Sequence, residues 1–333
     1  FLSYPDNSIC MRPKVLITTG AKNLPEDVSD ALKEYADVEY TKLHDDKLDG
    51  VVAVIVSSEP INAEFLDMAP DLKLVARFGV GYDAVDVAEC TRRGIMVTHT
   101  PAVLSSGVAD HTWALILGLY KHIPLANAHV RTNWANRAGS VPFGWDIEGK
   151  TIGILGLGRI GLEFLKRSTG FPAKIIYHDL VRKEKLEGEY GVEYVSFDGL
   201  LKGSDILTIH VDLNPSSRGI IGPKEFEKMK PNAIIVNTSR GPVINESALV
   251  DALKEGKIAG AALDVFETEP TPLDNPLLAL PNVLATPHIA SASWETRKKM
   301  AKRSTGNVLS YLKGERPPHL VPEQRDKEFP LRQ

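Results

Sequence analysis

Lys150-Thr151-Ile152-Gly153-Ile154-Leu155-Gly156-Leu157-Gly158-Arg159-Ile160-Gly161 is the stretch from which the fold follows. Its first six residues form a short apolar, β-branched run, which reads as a buried strand. The spacing Gly156-x-Gly158-x-x-Gly161 follows at once, and residues 162–169 continue as an amphipathic helix. Each glycine has its own task in such a strand-to-helix turn. The first permits the tight turn, the second lets backbone approach a pyrophosphate, and the third lets helix and strand pack closely. Free N–H groups at the helix start, with the positive end of its dipole, suit anionic phosphates.

A glycine triplet alone is weak evidence, because glycine turns often only join a strand to a helix. Asp179 strengthens it. It ends the next expected strand, 18 residues past Gly161, close to the spacing of about 20 in dinucleotide sites. A carboxylate there accepts from both ribose hydroxyls of NAD and repels the extra phosphate of NADP. Arg182 is a cation able to swing toward such a phosphate, so NADP is the second choice and NAD the expected cofactor.

Outward from this turn, short apolar runs alternate with helical segments. Residues 15–18, 51–56, 72–76 and 95–98 read as one series of buried strands. Residues 151–155, 174–177, 206–210, 233–237, 261–265 and 283–286 read as a second. Stretches such as 25–35, 162–169 and 246–255 are amphipathic. Strands alternating with helices mean parallel sheets covered on both faces, and two series mean two sheets. At 333 residues two domains are also the default. Residues 108–120 (VADHTWALILGLY) read as a long buried helix crossing from the first domain into the second. Residues 291–313 read as another that returns the chain. The expected division is 11–104 with 292–333 as one discontinuous domain, and 105–291 as the inserted dinucleotide domain. Residues 121–149 show no clear period, and a segment of that length without one is often functional or interfacial.

The bulk properties exclude several classes. A net charge of -4 gives no basic footprint for nucleic acid. No run of eighteen apolar residues is present, so no membrane partner is expected. Two cysteines, Cys10 and Cys90, are too few for a disulfide framework and fit the cytoplasm. Residues 1–10 have neither the basic flank nor the apolar run of a signal peptide and read as an extension. The nine histidines show no metal-ligand spacing, so no metal is expected. Asp86 with Glu89 has the spacing of a capping box. Trp113 reads as helix core, and Trp134 and Trp145 as interface anchors or pocket walls.

Three segments follow strands of the second series: Asn237-Thr238-Ser239-Arg240-Gly241, Asp264-Val265-Phe266-Glu267-Thr268-Glu269-Pro270 and Thr286-Pro287-His288-Ile289-Ala290. Ligands of open α/β sheets bind beyond the carboxyl ends of strands, so all three should face the cofactor crevice. With Arg77-Phe78-Gly79-Val80-Gly81-Tyr82-Asp83, Thr100-Pro101, Val108-Ala109-Asp110 and the glycine turn, they make the chain resemble the D-isomer-specific 2-hydroxyacid dehydrogenases. The likeness runs from about residue 15 to about residue 312 and is nearest the glyoxylate/hydroxypyruvate reductase type.

The resemblance implies a Rossmann NAD-binding domain inserted into a discontinuous flavodoxin-like substrate domain, with a cleft that opens and closes. It implies that Arg240 grips the substrate carboxylate and polarises its carbonyl, a task suited to a planar guanidinium. His288 becomes the acid–base that protonates the carbonyl oxygen as hydride arrives. Glu269 becomes its carboxylate partner. Glu269 is chosen over Glu267 because the family carboxylate directly precedes the proline, here Pro270. Val80 and Gly81 would offer backbone N–H groups to the substrate carboxylate. Gly156, Gly158, Arg159, Ile160 and Gly161 would hold the pyrophosphate, and Asp179 and Val211 the adenosine. Thr238, Ser239, Asp264, His288 and Ser291 would line the nicotinamide side.

The implied activity is hydride transfer between NAD(H) and a 2-keto acid/D-2-hydroxy acid pair. Small or apolar keto acids are favoured, because Arg77 has no second cation beside it at Ser57-Ser58 to receive a phosphate. Tyr82, Leu104 and residues 134–145 would shape the choice. A homodimer is implied, with 121–149 as its arm. The alternatives are an NADH-sensing dehydrogenase-like scaffold with little turnover, and a formate- or phosphite-type dehydrogenase of the same fold.

Overall fold

The computed structural model describes residues 12–18, 26–41, 48–134 and 141–332. The expectations for residues 1–10, including Cys10, and for 135–140 lie outside the described residues. Two compact units emerge: the described residues up to Leu104 with those from Ser293 onward, and Ser105–Ala292.

The first unit is built on five parallel strands, β1 (Lys14–Thr18), β2 (Asp37–Thr41), β3 (Val51–Val56), β4 (Leu74–Arg77) and β5 (Met96–Thr98), in the order β2-β1-β3-β4-β5. That is the flavodoxin-like order. β3 is nearly all Val and Ile and almost wholly buried, as a strand covered on both faces must be. On one face Val54, Val56, Val75 and Val97 pack with Phe65, Leu66 and Cys90.

The second unit holds seven parallel strands: β6 (Thr151–Leu155), β7 (Lys174–His178), β8 (Glu193–Tyr194), β9 (Ile206–Ile209), β10 (Ile234–Asn237), β11 (Gly260–Leu263) and β12 (Val283–Ala285). Their order is β12-β11-β10-β9-β6-β7-β8. Counted from β6, this is the dinucleotide-binding order, and it reverses between β6 and β9. The switch point therefore opens a crevice directly beyond the glycine turn. The helix Ser105–Tyr120 packs against the helix Arg159–Ser168. Trp113 is core, stacked on Phe171 at 4.1 Å and Phe164 at 5.2 Å. Among the described residues no helix is long and apolar enough to cross a membrane.

Several expectations need correction. β2 and β8 were not foreseen. The helix 105–120 lies wholly in the second unit and does not cross between units. The returning helix starts at Trp294, later than residue 291, because Ser293 caps it by accepting from Thr296 N–H at 3.2 Å. Part of the segment without a period is helical, Ile123–Asn133. The Asp86–Glu89 box is only half made. Asp86 caps Glu89 N–H at 2.9 Å, but the Glu89 carboxylate turns to Arg92 and Arg93, which hold its pKa down to about 2.

Candidate active site

The glycine turn leaves β6 at Gly156, whose φ of +90° is left-handed and whose N–H donates to His178 O at 2.9 Å. A side chain there would meet Val211 Cγ1 at 2.8 Å and His210 O at 2.9 Å. Gly161 tolerates no Cβ for another reason, since one would collide with the Gly156 carbonyl oxygen. Gly158 differs from both: a Cβ built on it meets nothing within 4 Å. The space it leaves is open, at the start of the helix Arg159–Ser168 and with no side chain capping it. Among the described residues the N–H groups of Gly158, Arg159 and Ile160 have no acceptor. Unfilled space above three unpaired N–H groups fits a dinucleotide pyrophosphate.

Adjacent pairing of β6 and β7 brings Asp179 to this turn. Its Oδ2 accepts from Leu157 N–H at 2.8 Å and its Oδ1 from Val181 N–H at 3.1 Å. Val211 is half-buried on the far side of the turn. His210, before it, bonds Thr208 Oγ1 through Nε2 at 3.0 Å. Desolvation pushes the His210 pKa down to about 3, so the ring is neutral and carries no charge to the cofactor.

Beyond β10, Asn237 builds the loop that presents Arg240. Its Oδ1 accepts from Ser239 N–H at 2.9 Å and Ser239 Oγ at 2.8 Å, while its Nδ2 donates to Arg240 O at 2.8 Å. Thr238 is buried, with its hydroxyl 3.0 Å from that of Thr112. Gly241 then presses on the loop after β11, where a Cβ would overlap the Phe266 carbonyl group. That close approach sets Arg240 beside Glu269, whose carboxylate it stabilises.

Glu267 and Glu269 divide their work. Glu267 and Glu246 cap each other, Glu267 accepting from Glu246 N–H at 3.2 Å and Glu246 from Glu267 N–H at 2.9 Å. Glu269 instead lies 2.6 Å from His288 Nδ1 through Oε2, and its Oε1 accepts from Phe266 N–H at 3.0 Å. Burial opposes the Glu269 charge, but the His288 bond and charge, the Phe266 amide and Arg240 outweigh it and hold the carboxyl below its usual range.

His288 itself has a φ of +53°, unusual for a side-chain-bearing residue. Asp264 supports it there. The Asp264 carbonyl accepts from His288 N–H at 2.9 Å. Its side chain is fully buried and accepts from Thr286 Oγ1 at 2.6 Å, Ile289 N–H at 2.9 Å and Ala290 N–H at 2.8 Å. His111 Nε2 lies 3.4 Å from the same carboxylate. Burial again opposes the charge, and the donations from His111, Thr286, Ile289 and Ala290 outweigh it, lowering the Asp264 pKa. Asp264 thus offers no exposed surface. It props the His288 loop. Ser291 follows in the next turn, half-buried.

In the first unit, Val80 and Gly81 follow β4 in a loop pinned by Phe78 N–H to Val56 O (2.7 Å), Thr100 N–H to Gly79 O (2.8 Å) and His99 Nδ1 to Val80 O (3.0 Å). Among the described residues neither the Val80 nor the Gly81 N–H has an acceptor. The sequence reading missed Asn237 and His111. A short polar residue at a strand end is the signal for the first. The second has none, because its partners lie far along the chain.

A dinucleotide cradle at a topological switch point, with an Arg, a Glu–His pair and their props at neighbouring strand ends, defines a nicotinamide-dinucleotide-dependent oxidoreductase. The model of the D-isomer specific 2-hydroxyacid dehydrogenase NAD binding domain matches residues 113–290. The glyoxylate reductase of Thermococcus litoralis is 43% identical over 325 residues, 93% of this chain and 97% of that protein. The glyoxylate reductase of Korarchaeum cryptofilum is 41% identical over 96% of this chain and 99% of its own. Among solved structures, the NADPH-dependent glyoxylate/hydroxypyruvate reductase of Sinorhizobium meliloti, in complex with NADP and malonate, superposes with a TM-score of 0.85 at 33% identity, covering 97% and 99% of the two chains. The chain belongs to the D-isomer specific 2-hydroxyacid dehydrogenase family.

Proposed function

We propose that the protein reduces glyoxylate and similarly small 2-keto acids to D-2-hydroxy acids with NADH, and runs the reverse reaction. The observation that carries this reading is the 2.6 Å His288–Glu269 pair beside Arg240, an acid–base next to a carboxylate anchor. The glyoxylate reductases among its relatives point to the same small substrate. NADH would lie with its pyrophosphate on Gly158, Arg159 and Ile160, its adenosine ribose on Asp179 and its nicotinamide toward Thr238, Ser239 and Ser291. The bound nicotinamide supplies the hydride. Arg240 binds the substrate carboxylate and carbonyl oxygen. Protonated His288 gives its Nε2 proton to that oxygen, and the Glu269 carboxylate stabilises the charged ring beforehand. Asp264 is a positioning residue that keeps His288 in its left-handed conformation. A homodimer in the cytosol completes the reading.

The test is a panel of keto acids followed by nicotinamide absorbance, with NADH and NADPH in parallel, on the wild type and Arg240→Ala. NADH-linked glyoxylate turnover is expected. It should fall by about 10²–10⁴-fold in the variant, because electrostatic anchors of this kind carry several kcal/mol of transition-state stabilisation. NADH binding without turnover would favour a sensing scaffold instead. Unchanged kcat/KM in the variant would remove Arg240 from the site.

A further inference from the structure

Arg182 stands three residues beyond Asp179, ahead of Lys183 and Lys185, and its planar guanidinium is the cation of this segment best suited to grip a 2′-phosphate. It is already engaged. Its Nε donates to Glu187 Oε1 at 2.9 Å and its Nη2 to Glu187 Oε2 at 2.7 Å, a two-pronged guanidinium–carboxylate pair. Glu187 is fixed from a second side, because the Tyr177 hydroxyl donates to Oε1 at 2.8 Å. That hydroxyl accepts in turn from Lys183 N–H at 2.6 Å, and Tyr177 is fully buried in β7. The guanidinium carbon lies 5.8 Å from the centre of the Tyr194 ring. The Nε/Nη2 edge of the Arg182 fork and one of its faces are thus occupied by the protein itself. The Glu187 side chain is only 18% exposed while that of Arg182 is 56% exposed. The anchored carboxylate holds the exposed cation, and not the reverse.

We infer that Glu187 is a specificity-determining residue that sequesters Arg182 and so denies the 2′-phosphate of NADP its counter-charge. This rests on the reading that the adenosine ribose lies at Asp179. Two carboxylates then select NAD in different ways. Asp179 meets the 2′ position directly, by accepting from a hydroxyl and repelling a phosphate. Glu187 acts at one remove, by neutralising the only compensation Arg182 offers. A bidentate pair has little reason to open for a phosphate that must also approach Asp179, because the incoming anion replaces one carboxylate while facing another.

The test is calorimetric titration of the wild type, Glu187→Gln and Glu187→Gln/Arg182→Ala with adenosine 5′-monophosphate and adenosine 2′,5′-bisphosphate, then with NADH and NADPH. Glutamine keeps an oxygen for the Tyr177 hydroxyl, so the local fold is retained. Glu187→Gln should tighten the bisphosphate and NADPH on the order of tenfold, the size of one charge-assisted contact. The monophosphate and NADH should change by less than about twofold on the same scale. Removing Arg182 as well should erase the gain. An unchanged ratio, equal movement of both ligand classes, or a gain that survives loss of Arg182 each overturns the inference. The underlying reading has its own control. The wild type should bind the monophosphate more tightly than its 2′-deoxy analogue, with the difference shrinking in Asp179→Asn. If that control fails, the ribose placement and the inference fall together. If it holds and Glu187→Gln does nothing, only the inference falls.

Discussion

At the scale of single residues, the proposed chemistry turns on the hydrogen bond between His288 Nδ1 and Glu269 Oε2. The Glu269 pKa is lowered in the folded protein. Its carboxylate form therefore contributes stability that is fully present above the unfolded value of about 4.3, and that is lost as pH falls through the lower folded value. Above that window the Glu269 charge is constant. In the proposed reaction reduction takes up a proton, so keto-acid reduction should decline on the alkaline side, while hydroxy-acid oxidation should decline on the acid side. Glu269→Gln removes the carboxylate that His288 bonds through Nδ1. Reduction should then lose kcat by more than any change in KM for NADH. Steady-state kinetics in both directions measure this, and an unchanged kcat would remove Glu269 from the proton path. Arg240, Glu269 and His288 stood out in the sequence because each sits in a short segment after an apolar run, and the family resemblance supplied the role proposed for each. The props were not. Asp264 looks like one more carboxylate at a strand end, and only its burial beneath Ile289 and Ala290 gives it the role of holding His288.

At the scale of elements, two glycines that look alike in sequence do opposite work. Gly241 is where two loops touch, and a Cβ there would overlap the Phe266 carbonyl. Gly241→Ala should force the Arg240 loop off the Glu269 loop, costing about 1–3 kcal/mol of stability as overpacking does, and a larger loss in turnover. Gly158→Ala meets no protein atom within 4 Å and needs no left-handed backbone, so the melting temperature should hardly move. The methyl would instead stand where the pyrophosphate belongs, and NADH affinity should drop by about tenfold or more, one kcal/mol-scale steric and solvation loss. Thermal melts with NADH titrations separate the two, and a Gly158→Ala protein that binds NADH normally would put the pyrophosphate elsewhere. Element by element, sequence legibility followed burial. β3 is apolar throughout, and β10 up to its final Asn237, because both faces are covered, and such runs stand out. β2 (DVEYT) and β8 (EY) are edge strands with polar residues and escape the same reading. The helix Ile123–Asn133 escaped because its apolar side chains do not face a core of this chain, so no polar and apolar faces sort themselves in the usual way.

At the scale of the whole molecule, that same helix points to a second copy. Ile123 is 55% exposed and Val130 44%, seven residues apart on one side of the helix, with Trp134 next along that stripe at 64%. Leu125 and Phe143 are exposed as well. Isolated exposed apolar side chains need no explanation, but a run of them on one element marks a surface that is covered in the working protein. In the proposed homodimer the occupant is another copy of the chain joined about a two-fold axis. A stable interface of that kind needs on the order of 1,000 Å² or more, to which this helix would contribute from both copies at once. Sedimentation at micromolar concentration should therefore give a mass near twice 36.5 kDa. Ile123→Glu/Val130→Glu places two charges in each half of the contact, four across the axis, and should sediment as the single chain. The substituted positions are already exposed, so the folded unit should survive, and unchanged far-ultraviolet circular dichroism would verify that. A wild type that sediments at 36.5 kDa, or a double variant that stays paired, would mean that this helix faces something other than itself.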